Sequence, residues 1–190
     1  MNRADAVHEL KSTFSILDAD INEIKKNADG NTKGFHVRAS IRAYSALIEG
    51  LLFQMRHLAL SSESKNTSVY NLSEKLILSE KAYRLNTKGE VEEKESFESL
   101  KNMVLFTLKQ FPKIHGANFE PNTGDHRWEM FGVFIKIRNR VVHPKSKSDL
   151  ELTHEEWEKV NVGIDWFYDN VKLMFGECSK ADDFFRENFV

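Results

Sequence analysis

Cysteine, proline and glycine are all scarce in this sequence. Cys178 is the only cysteine, which excludes an intramolecular disulfide and a cysteine-based zinc site. With three prolines and nine glycines in 190 residues, long stretches have no helix breaker, and this favours helix. No run approaches the ~18 apolar residues of a membrane span, so we expect no membrane segment. The first residues also lack the apolar run of a signal peptide, so we expect a cytoplasmic protein.

The chain has no strong charge of either sign. Its 27 basic and 29 acidic residues give a formal net charge of −2, which excludes a globally basic nucleic-acid binder but allows a local basic patch. A hydrophobic content of 41% and a charged content of 29% are typical of a globular protein. No repeat or long linker divides the sequence, so we expect a single domain over residues 1–190.

Hydrophobic spacing predicts an all-α fold, an up-and-down helical bundle. Apolar residues at steps of three and four predict long helices near residues 4–26, 35–60, 126–142 and 154–175. Two shorter helices are expected between the second and third of these, the later one carrying Phe97 to Phe111. A capping box from Thr153 to Glu156 marks the start of the last long helix. The aromatic residues of the final segment are expected to cover the protein's own body; they are Phe184, Phe185 and Phe189.

A small β-hairpin insertion is expected near residues 83–92. Tyr83 and Leu85 alternate with polar residues before the turn-like segment Asn86–Gly89, and Val91 follows it. This pattern interrupts the helical periodicity on both sides. The predicted bundle therefore carries one two-stranded element.

Several familiar motifs fail in this sequence. The stretch beginning at Asp18 starts like a calcium loop, but its sixth position is Glu23 and its twelfth is Asp29. The segment "HEEWE" at His154 lacks the second histidine of a zinc-binding helix, and there is no phosphate loop or serine elbow. We therefore expect neither a metal nor a cofactor.

The stretch "KIRNRVVHP", from Lys136 to Pro144, raises a question of burial. Trp128, Phe131 and Ile135 form an apolar stripe whose next position is Arg138. A guanidinium stays charged, and burying it unpaired is costly. Arg138 is therefore expected to face a polar environment. Glu49, inside the second long helix, is interpreted as an exposed or interhelical polar residue.

The same segment concentrates positive charge. Between Glu129 and Asp149 there is no acidic residue, and the cations there are Lys136, Arg138, Arg140, Lys145 and Lys147. A cationic helix end that complements the macrodipole, followed by a solvated loop, explains part of this run. The other explanation is contact with a phosphate backbone, for which the candidate RNA-binding residues are Lys136, Arg140, Lys145 and Lys147.

Three residues of this segment form a candidate catalytic set. Asn139 and His143 are four residues apart, so they share one face of a continuous helix. Pro144 disfavours helical geometry at His143, which predicts that the last turn opens. A histidine, an arginine and an amide suffice to remove a proton from a 2′-hydroxyl and to stabilise charge at phosphorus. The candidates are Arg138, Asn139 and His143, and the chemistry is metal-independent RNA cleavage.

The motif Arg138-Asn139-x-x-x-His143, late in a helical chain and followed by proline, resembles the signature of the HEPN superfamily. The resemblance extends over roughly Asp5 to Phe175, with the hairpin as an insertion. It implies a homodimeric helical bundle in which two motifs meet in a composite cleft. Many members are metal-independent endoribonucleases that act as toxins, in antiphage defence or in RNA processing. By analogy His143 is the general base or acid, Arg138 holds the phosphate, and Asn139 positions the substrate or the histidine.

Two other functions stay open at this point. Some members of the family have lost catalysis, so the alternative is a non-catalytic dimeric module that binds a partner, such as an antitoxin or a nucleotidyltransferase. A regulator that binds nucleic acid without cutting it is the third, although no helix-turn-helix spacing supports it. The resemblance also suggests that Arg138 points into a wet dimer cleft.

Overall fold

Helices dominate the computed structural model, which describes residues 3–27, 33–62 and 68–189. Within them it contains six α-helices and one two-stranded antiparallel sheet, so the predicted all-α character and the hairpin are both confirmed. The elements are α1 (Arg3–Lys26), α2 (Lys33–Ser61), α3 (Leu72–Leu78), β1 (Lys81–Leu85), β2 (Val91–Glu95), α4 (Leu100–Gln110), α5 (His126–Val142) and α6 (His154–Phe189). Short 3₁₀ turns span Phe111–His115 and Lys147–Leu150.

The long helices pack as two antiparallel pairs, α1 with α2 and α5 with α6. The ammonium of Lys25, near the end of α1, lies 5.5 Å from the ring centroid of Tyr44, in the first half of α2. In the second pair, Arg140 near the end of α5 bonds Glu156 in the first turn of α6, at 2.8 Å. Both pairs therefore place the end of one helix beside the start of the next, as short connections in bundles require.

A glycine lets α5 and α6 approach closely. A Cβ added to Gly163 would lie 2.6 Å from the backbone oxygen of Met130, so no larger residue fits without displacing backbone. Next to this contact, the ring of Trp166 packs against Phe131 at a centroid distance of 5.3 Å, and its indole N–H donates to the carbonyl of Asn122 at 2.7 Å. The first half of α5 is therefore fixed by tight and dry packing.

One continuous cluster of buried apolar residues connects α1, α2, α4, α5 and α6. Helix α2 contributes buried residues at steps of three and four, which are Ile41, Tyr44, Ile48, Leu51, Met55 and Leu58. A smaller cluster lies beside α3 and contains Ala59, Tyr70 and Leu78. The segment from Asp18 that starts like a calcium loop is helical up to Lys26, in agreement with the helical interpretation.

The local signals for turns and caps are confirmed. Thr153 Oγ1 accepts from the backbone N–H of Glu156 at 3.1 Å, and Glu156 Oε2 accepts from the N–H of Thr153 at 3.0 Å. In the hairpin, Leu85 pairs with Val91, and Gly89 has the left-handed φ of 77° that glycine adopts without strain. The strands begin and end slightly outside the predicted residues 83–92. The polar breaks after α1 and α2 fall mainly on residues 28–32 and 63–67, outside the described residues.

Two predicted helix ends are wrong. Helix α4 begins at Leu100, because the side chain of Ser99 caps it by accepting from Asn102 N, and Phe97 lies outside the helix with 76% of its surface exposed. Helix α6 continues to Phe189 instead of ending near residue 175, because no proline interrupts it. The side chain of Phe184 is 62% exposed, so the prediction that it covers the body of the protein is wrong. The side chains of Phe185 and Phe189 lie outside the description.

Candidate functional site at the end of helix α5

The buried face of α5 differs by one position from the predicted stripe. Asp125 caps the helix by accepting from the backbone N–H of Arg127 at 2.9 Å. The buried residues that follow are Phe131, Phe134, Ile137 and Val141. Ile135, which the stripe assigned to the core, is only half-buried. Arg138 therefore lies at the margin of the apolar face, next to Ile137, and not in its centre.

The guanidinium of Arg138 is held by side chains of α2. Its Nε donates to Ser45 Oγ at 2.7 Å, and its Nη2 donates to a carboxylate oxygen of Glu49. The hydroxyl of Ser45 in turn donates to Glu49 Oε1 at 3.0 Å. The third nitrogen, Nη1, donates to Asn139 Oδ1 at 3.0 Å. Arg138 thus has a polar environment inside its own chain, as its charge requires.

The ion pair between Arg138 and Glu49 is accessible to solvent on one side. Ser45 is buried at 4% exposure, whereas the side chain of Arg138 is 20% exposed and that of Glu49 is 46% exposed. The interpretation of Glu49 as an exposed or interhelical polar residue is confirmed, because Glu49 is both. Solvent, or a ligand, has access to the ion pair from the side of the carboxylate.

A cleft of about 470 Å³ opens beside the ion pair, between α2, α4, α5 and the residues that flank the hairpin. Arg56, one of its lining residues, is only 5% exposed and donates to Glu80 Oε1 at 2.7 Å. Burial lowers the pKa of Arg56, and the neighbouring carboxylate of Glu80 opposes that shift. Glu80 itself adopts a left-handed φ of 54°, unusual for a residue with a side chain. The backbone conformation of the turn before β1 therefore lets the carboxylate of Glu80 reach the buried guanidinium of Arg56.

The cleft combines aromatic and charged walls. Phe53 and Phe97 line it and are 45% and 76% exposed. Its charged lining comprises Arg56, Arg138, Glu49, Glu80 and Glu98, that is, two cations and three carboxylates. A phosphate that enters this cleft meets no net positive charge and has to compete with Glu49 for Arg138.

His143 ends helix α5, as the following proline predicts. Its backbone has φ −123° and ψ 62°, outside the helical region, while its N–H still donates to the carbonyl of Asn139 at 3.0 Å. Its imidazole is exposed and forms no hydrogen bond with any residue in the described part of the chain. The geometry therefore leaves both ring nitrogens accessible to an incoming molecule.

Two anchors fix the backbone around His143. Before it, Arg42 of α2 donates from Nη2 to the carbonyl of Val141 at 3.2 Å. After Pro144, Asp149 Oδ2 accepts from the N–H groups of Lys145 and Ser146 at 2.8 and 2.9 Å, and these bonds lower the pKa of Asp149. The exposed side chain of His143 therefore extends from a backbone that is anchored on both sides.

The fold places the cations of the predicted basic patch, from Lys136 to Lys147, on different sides of α5. Lys136 and Arg140 are each two residues, or about 200°, from Arg138 around the helix axis, so they lie on the other side of α5. There they line a separate cavity with Glu156, whose pKa is lowered chiefly by its hydrogen bond from Arg140. Lys145 is exposed, and Lys147 is 92% exposed with its Nζ 3.4 Å from Glu151. The cations left to face solvent are thus Lys136, Lys145 and Lys147.

Neither a metal cluster nor a membrane span is present among residues 3–27, 33–62 and 68–189. No group of three or more histidine, cysteine or acidic side chains there is arranged to hold a metal ion. No helix there is long and apolar enough to cross a bilayer.

No protein-family model, no curated protein and no solved structure matches this chain. The resemblance to the HEPN superfamily therefore rests on the segment from Arg138 to His143 and on its position near the end of a helical chain.

Sequence reasoning missed Ser45 as a partner of Arg138 and most of the lining of the cleft. Ser45, Arg56, Phe53 and Phe97 were not singled out, and Glu49 was noted without its partner. The sequence did contain one indication of this contact. Ser45, Glu49 and Arg56 are spaced by four and seven residues, so they share one face of α2 beside its apolar stripe. Polar residues on such a face indicate a buried or half-buried contact with a neighbouring helix.

Proposed function

We propose that this protein is a metal-independent endoribonuclease of HEPN type that acts as a homodimer in the cytoplasm. One observation carries the proposal: Arg138 is held at the edge of an open cleft while Asn139 and His143 face solvent at the adjoining helix end. An oriented cation and an accessible imidazole, five residues apart at one helix end, supply the two groups that cleavage of a phosphodiester by its own 2′-hydroxyl requires.

The reaction assigns one task to each residue. His143 removes the proton from the 2′-hydroxyl, whose oxygen then attacks phosphorus and displaces the 5′-oxygen. Arg138 stabilises the negative charge that develops on the phosphoryl oxygens. The leaving oxygen takes up a proton from an imidazolium, either of the same protomer or of its partner. The products are a 2′,3′-cyclic phosphate and a 5′-hydroxyl, and Asn139 positions the substrate.

Glu49 and Ser45 prepare Arg138 for this task. While Ser45 holds Nε, the scissile phosphate replaces Glu49 as the partner of Nη2. A fixed guanidinium loses little conformational entropy when it binds, which favours a bidentate contact. Glu49 also keeps the cation from being buried alone when no substrate is present.

The exposed lysines extend the contact along the RNA. Lys145 and Lys147 follow His143 directly, whereas Lys136 and Arg140 face another side of α5. We expect RNA affinity to fall steeply with salt, because each neutralised phosphate releases counterions. Lys145→Ala and Lys147→Ala each weaken binding modestly and reduce the salt dependence, whereas Arg140→Ala acts mainly through the loss of its bond to Glu156. Filter binding between low and high salt measures both effects, and a salt-insensitive interaction would contradict this assignment.

The direct test is incubation of the purified protein with mixed cellular RNA in EDTA. We expect cleavage that leaves 2′,3′-cyclic phosphate ends, abolished by His143→Ala and by Arg138→Ala. Arg138→Lys should not restore full activity, because a point charge cannot reproduce a bidentate contact. Asn139→Ala should cost less. The matched control is His126→Ala, which removes another exposed histidine at the opposite end of α5.

Three outcomes would end this mechanism: a requirement for magnesium, activity that survives the loss of His143, or products with a 3′-hydroxyl. Circular dichroism and light scattering on each variant establish that fold and dimer are intact. A wild-type monomer at micromolar concentration would contradict the dimeric cleft separately.

A non-catalytic dimeric module is the second candidate, and one observation favours it. All three guanidinium nitrogens of Arg138 already have partners within the chain, which also suits a purely structural ion pair. In that case the surface binds a protein partner, such as an antitoxin or a nucleotidyltransferase. Folded, dimeric protein that cleaves no RNA would decide for this function.

A further inference from the structure

An apolar cavity of about 360 Å³ lies between α1, α2 and α6. Its innermost residues, Leu51 and Phe167, are 3% and 1% exposed. Its rim includes Phe14 and Phe175, which are 37% and 36% exposed. The remaining lining residues are Leu10, Lys11, Tyr168, Val171 and Lys172. No residue of the Arg138 cleft takes part, so the two sites are separate.

The arrangement of the helix pairs accounts for this cavity. Helix α1 packs along α2, and α6 packs along α5, but α1 and α6 have little direct contact. A groove therefore runs between them, with side chains of α2 at its base. Phe14 and Phe175 keep over a third of their surface exposed, although aromatic side chains stabilise a fold most when they are buried.

Two unpaired lysines stand at this groove, one on each wall. Neither Lys11 nor Lys172 has an ion pair or hydrogen bond with a residue of the described ranges, and both are exposed. On α1, no residue three or four positions from Lys11 is acidic. On α6 the corresponding acid is Asp169, which is already bonded by Arg127 at 2.7 Å. Two cations thus border an apolar cavity, and neither has an unengaged carboxylate three or four positions away on its own helix.

We propose that this cavity binds a single-chain fatty carboxylate, with its alkyl chain inside and its carboxylate between Lys11 and Lys172. The walls are almost entirely apolar, which suits an alkyl chain. The two ammonium groups give the head group a charge partner from either side.

The tyrosine in the wall is compatible with this ligand. Burial raises the pKa of Tyr168 to about 12, so its hydroxyl stays neutral at physiological pH and adds no negative charge beside the carboxylate. It also retains its proton as a hydrogen-bond donor. Among the described residues, the charged side chains that line the cavity are therefore Lys11 and Lys172; Asp18, whose carboxylate also raises the pKa of Tyr168, does not line it.

Isothermal titration of the full chain with octanoate, decanoate and 1-decanol tests the proposal. We expect saturable binding of decanoate, weaker binding of octanoate by roughly fourfold for each methylene removed, and much weaker binding of the uncharged alcohol. Lys11→Ala with Lys172→Ala should weaken decanoate binding at least tenfold, and Lys11→Arg with Lys172→Arg should retain most of it. The charge-matched control is Lys26→Ala with Lys88→Ala, two exposed lysines that do not line the cavity.

A second pair of variants examines the apolar walls. Phe175→Ala should weaken decanoate binding, whereas Leu173→Ala, which removes an exposed apolar residue outside the cavity on the same helix, should not. Circular dichroism establishes that both variants are folded. Loss of binding in both would contradict the assigned location.

Three results would overturn the proposal. They are no saturable binding of decanoate at millimolar concentration, equal binding of 1-decanol, and binding that is unchanged without the two lysines. A dimer that dissociates on Phe14→Lys would also overturn it, because a second copy of the chain would then cover the groove.

Discussion

The two halves of helix α5 face different environments. In the first half, Phe131 and Phe134 are completely buried, and α6 approaches so closely that only Gly163 fits. In the second half, Arg138 bonds Ser45 and Glu49 on α2, and the helix ends at an exposed histidine. The same helix thus carries a dry contact that stabilises the fold and a wet contact that leaves chemical groups accessible.

The difference shows how a small bundle keeps reactive groups in place. Apolar packing stabilises the fold in proportion to the apolar surface that it removes from water, so it is strongest where two helices approach closely. An ion pair at a solvent-exposed margin contributes little stability, so its residues tolerate exchange of partners. Apolar packing of the first half therefore stabilises the helix, so the polar contacts of the second half need contribute little to its stability.

The largest effect should come from the dry half. We expect Phe131→Ala to lower the free energy of unfolding by about 3–5 kcal/mol, because it opens a cavity among stacked rings. Phe131 is 0% exposed and contacts Trp128, Trp166 and Phe167. Urea unfolding followed by circular dichroism measures the loss. A cost below 1 kcal/mol would show that the two halves do not differ as described.

A smaller loss is expected for Gly163→Ala, about 1–3 kcal/mol, because the new methyl group meets backbone atoms that cannot move aside alone. The control on the same helix is Gly176→Ala, where an added Cβ has no neighbour within 4 Å. That change should stabilise the protein by up to about 1 kcal/mol through helix propensity. Equal effects at the two positions would contradict the close approach of α5 and α6.

In the wet half, a double-mutant cycle between Arg138 and Glu49 should give a coupling of only about 0.5–1 kcal/mol. The carboxylate is nearly half exposed, so water compensates when either partner is removed. Arg138→Ala, Glu49→Ala and the double variant, each unfolded in urea, complete the cycle. A coupling above 3 kcal/mol would indicate a dry ion pair and remove the contrast.

The smallest effect concerns pH. Because the bond from Arg140 lowers the pKa of Glu156, this carboxylate stabilises the fold above its unfolded pKa, and the contribution is lost as pH falls through the folded pKa. We expect less than about 1 kcal/mol from this group. Arg140→Gln should flatten the decrease in stability below pH ~5, whereas Lys145→Gln should not. Identical acid profiles would show that Arg140 has no structural role.

Sequence periodicity predicted the long helices, because apolar residues recur at steps of three and four over many turns of each helix. The same periodicity misplaced the buried face of α5, since apolar residues occupy two adjacent lanes, one through Ile135 and one through Phe134 and Ile137. Only packing against α6 distinguishes them.

Local signals were accurate at the candidate site where chain neighbours determine the geometry. The capping box at Thr153 and the helix end before Pro144 both depend on adjacent residues. The contacts of Arg138 with Ser45 and Glu49 join positions about ninety residues apart, and the division of the basic run depends on which way each side chain points. Neither is determined by local sequence, so neither was predicted.

The length of α6 has a consequence for local unfolding. Its 36 residues extend about 54 Å, roughly twice the length of α5. Cys178 is its last buried side chain among those described, and the described side chains after it are exposed or half-buried. One contact holds the turn after Cys178, because Asp182 bonds His115 Nδ1 at 2.9 Å. The turns beyond Asp182 have little packing to lose, so they open at a free energy far below that of global unfolding. Amide hydrogen exchange should therefore be slow up to about Asp182 and accelerate towards Phe189.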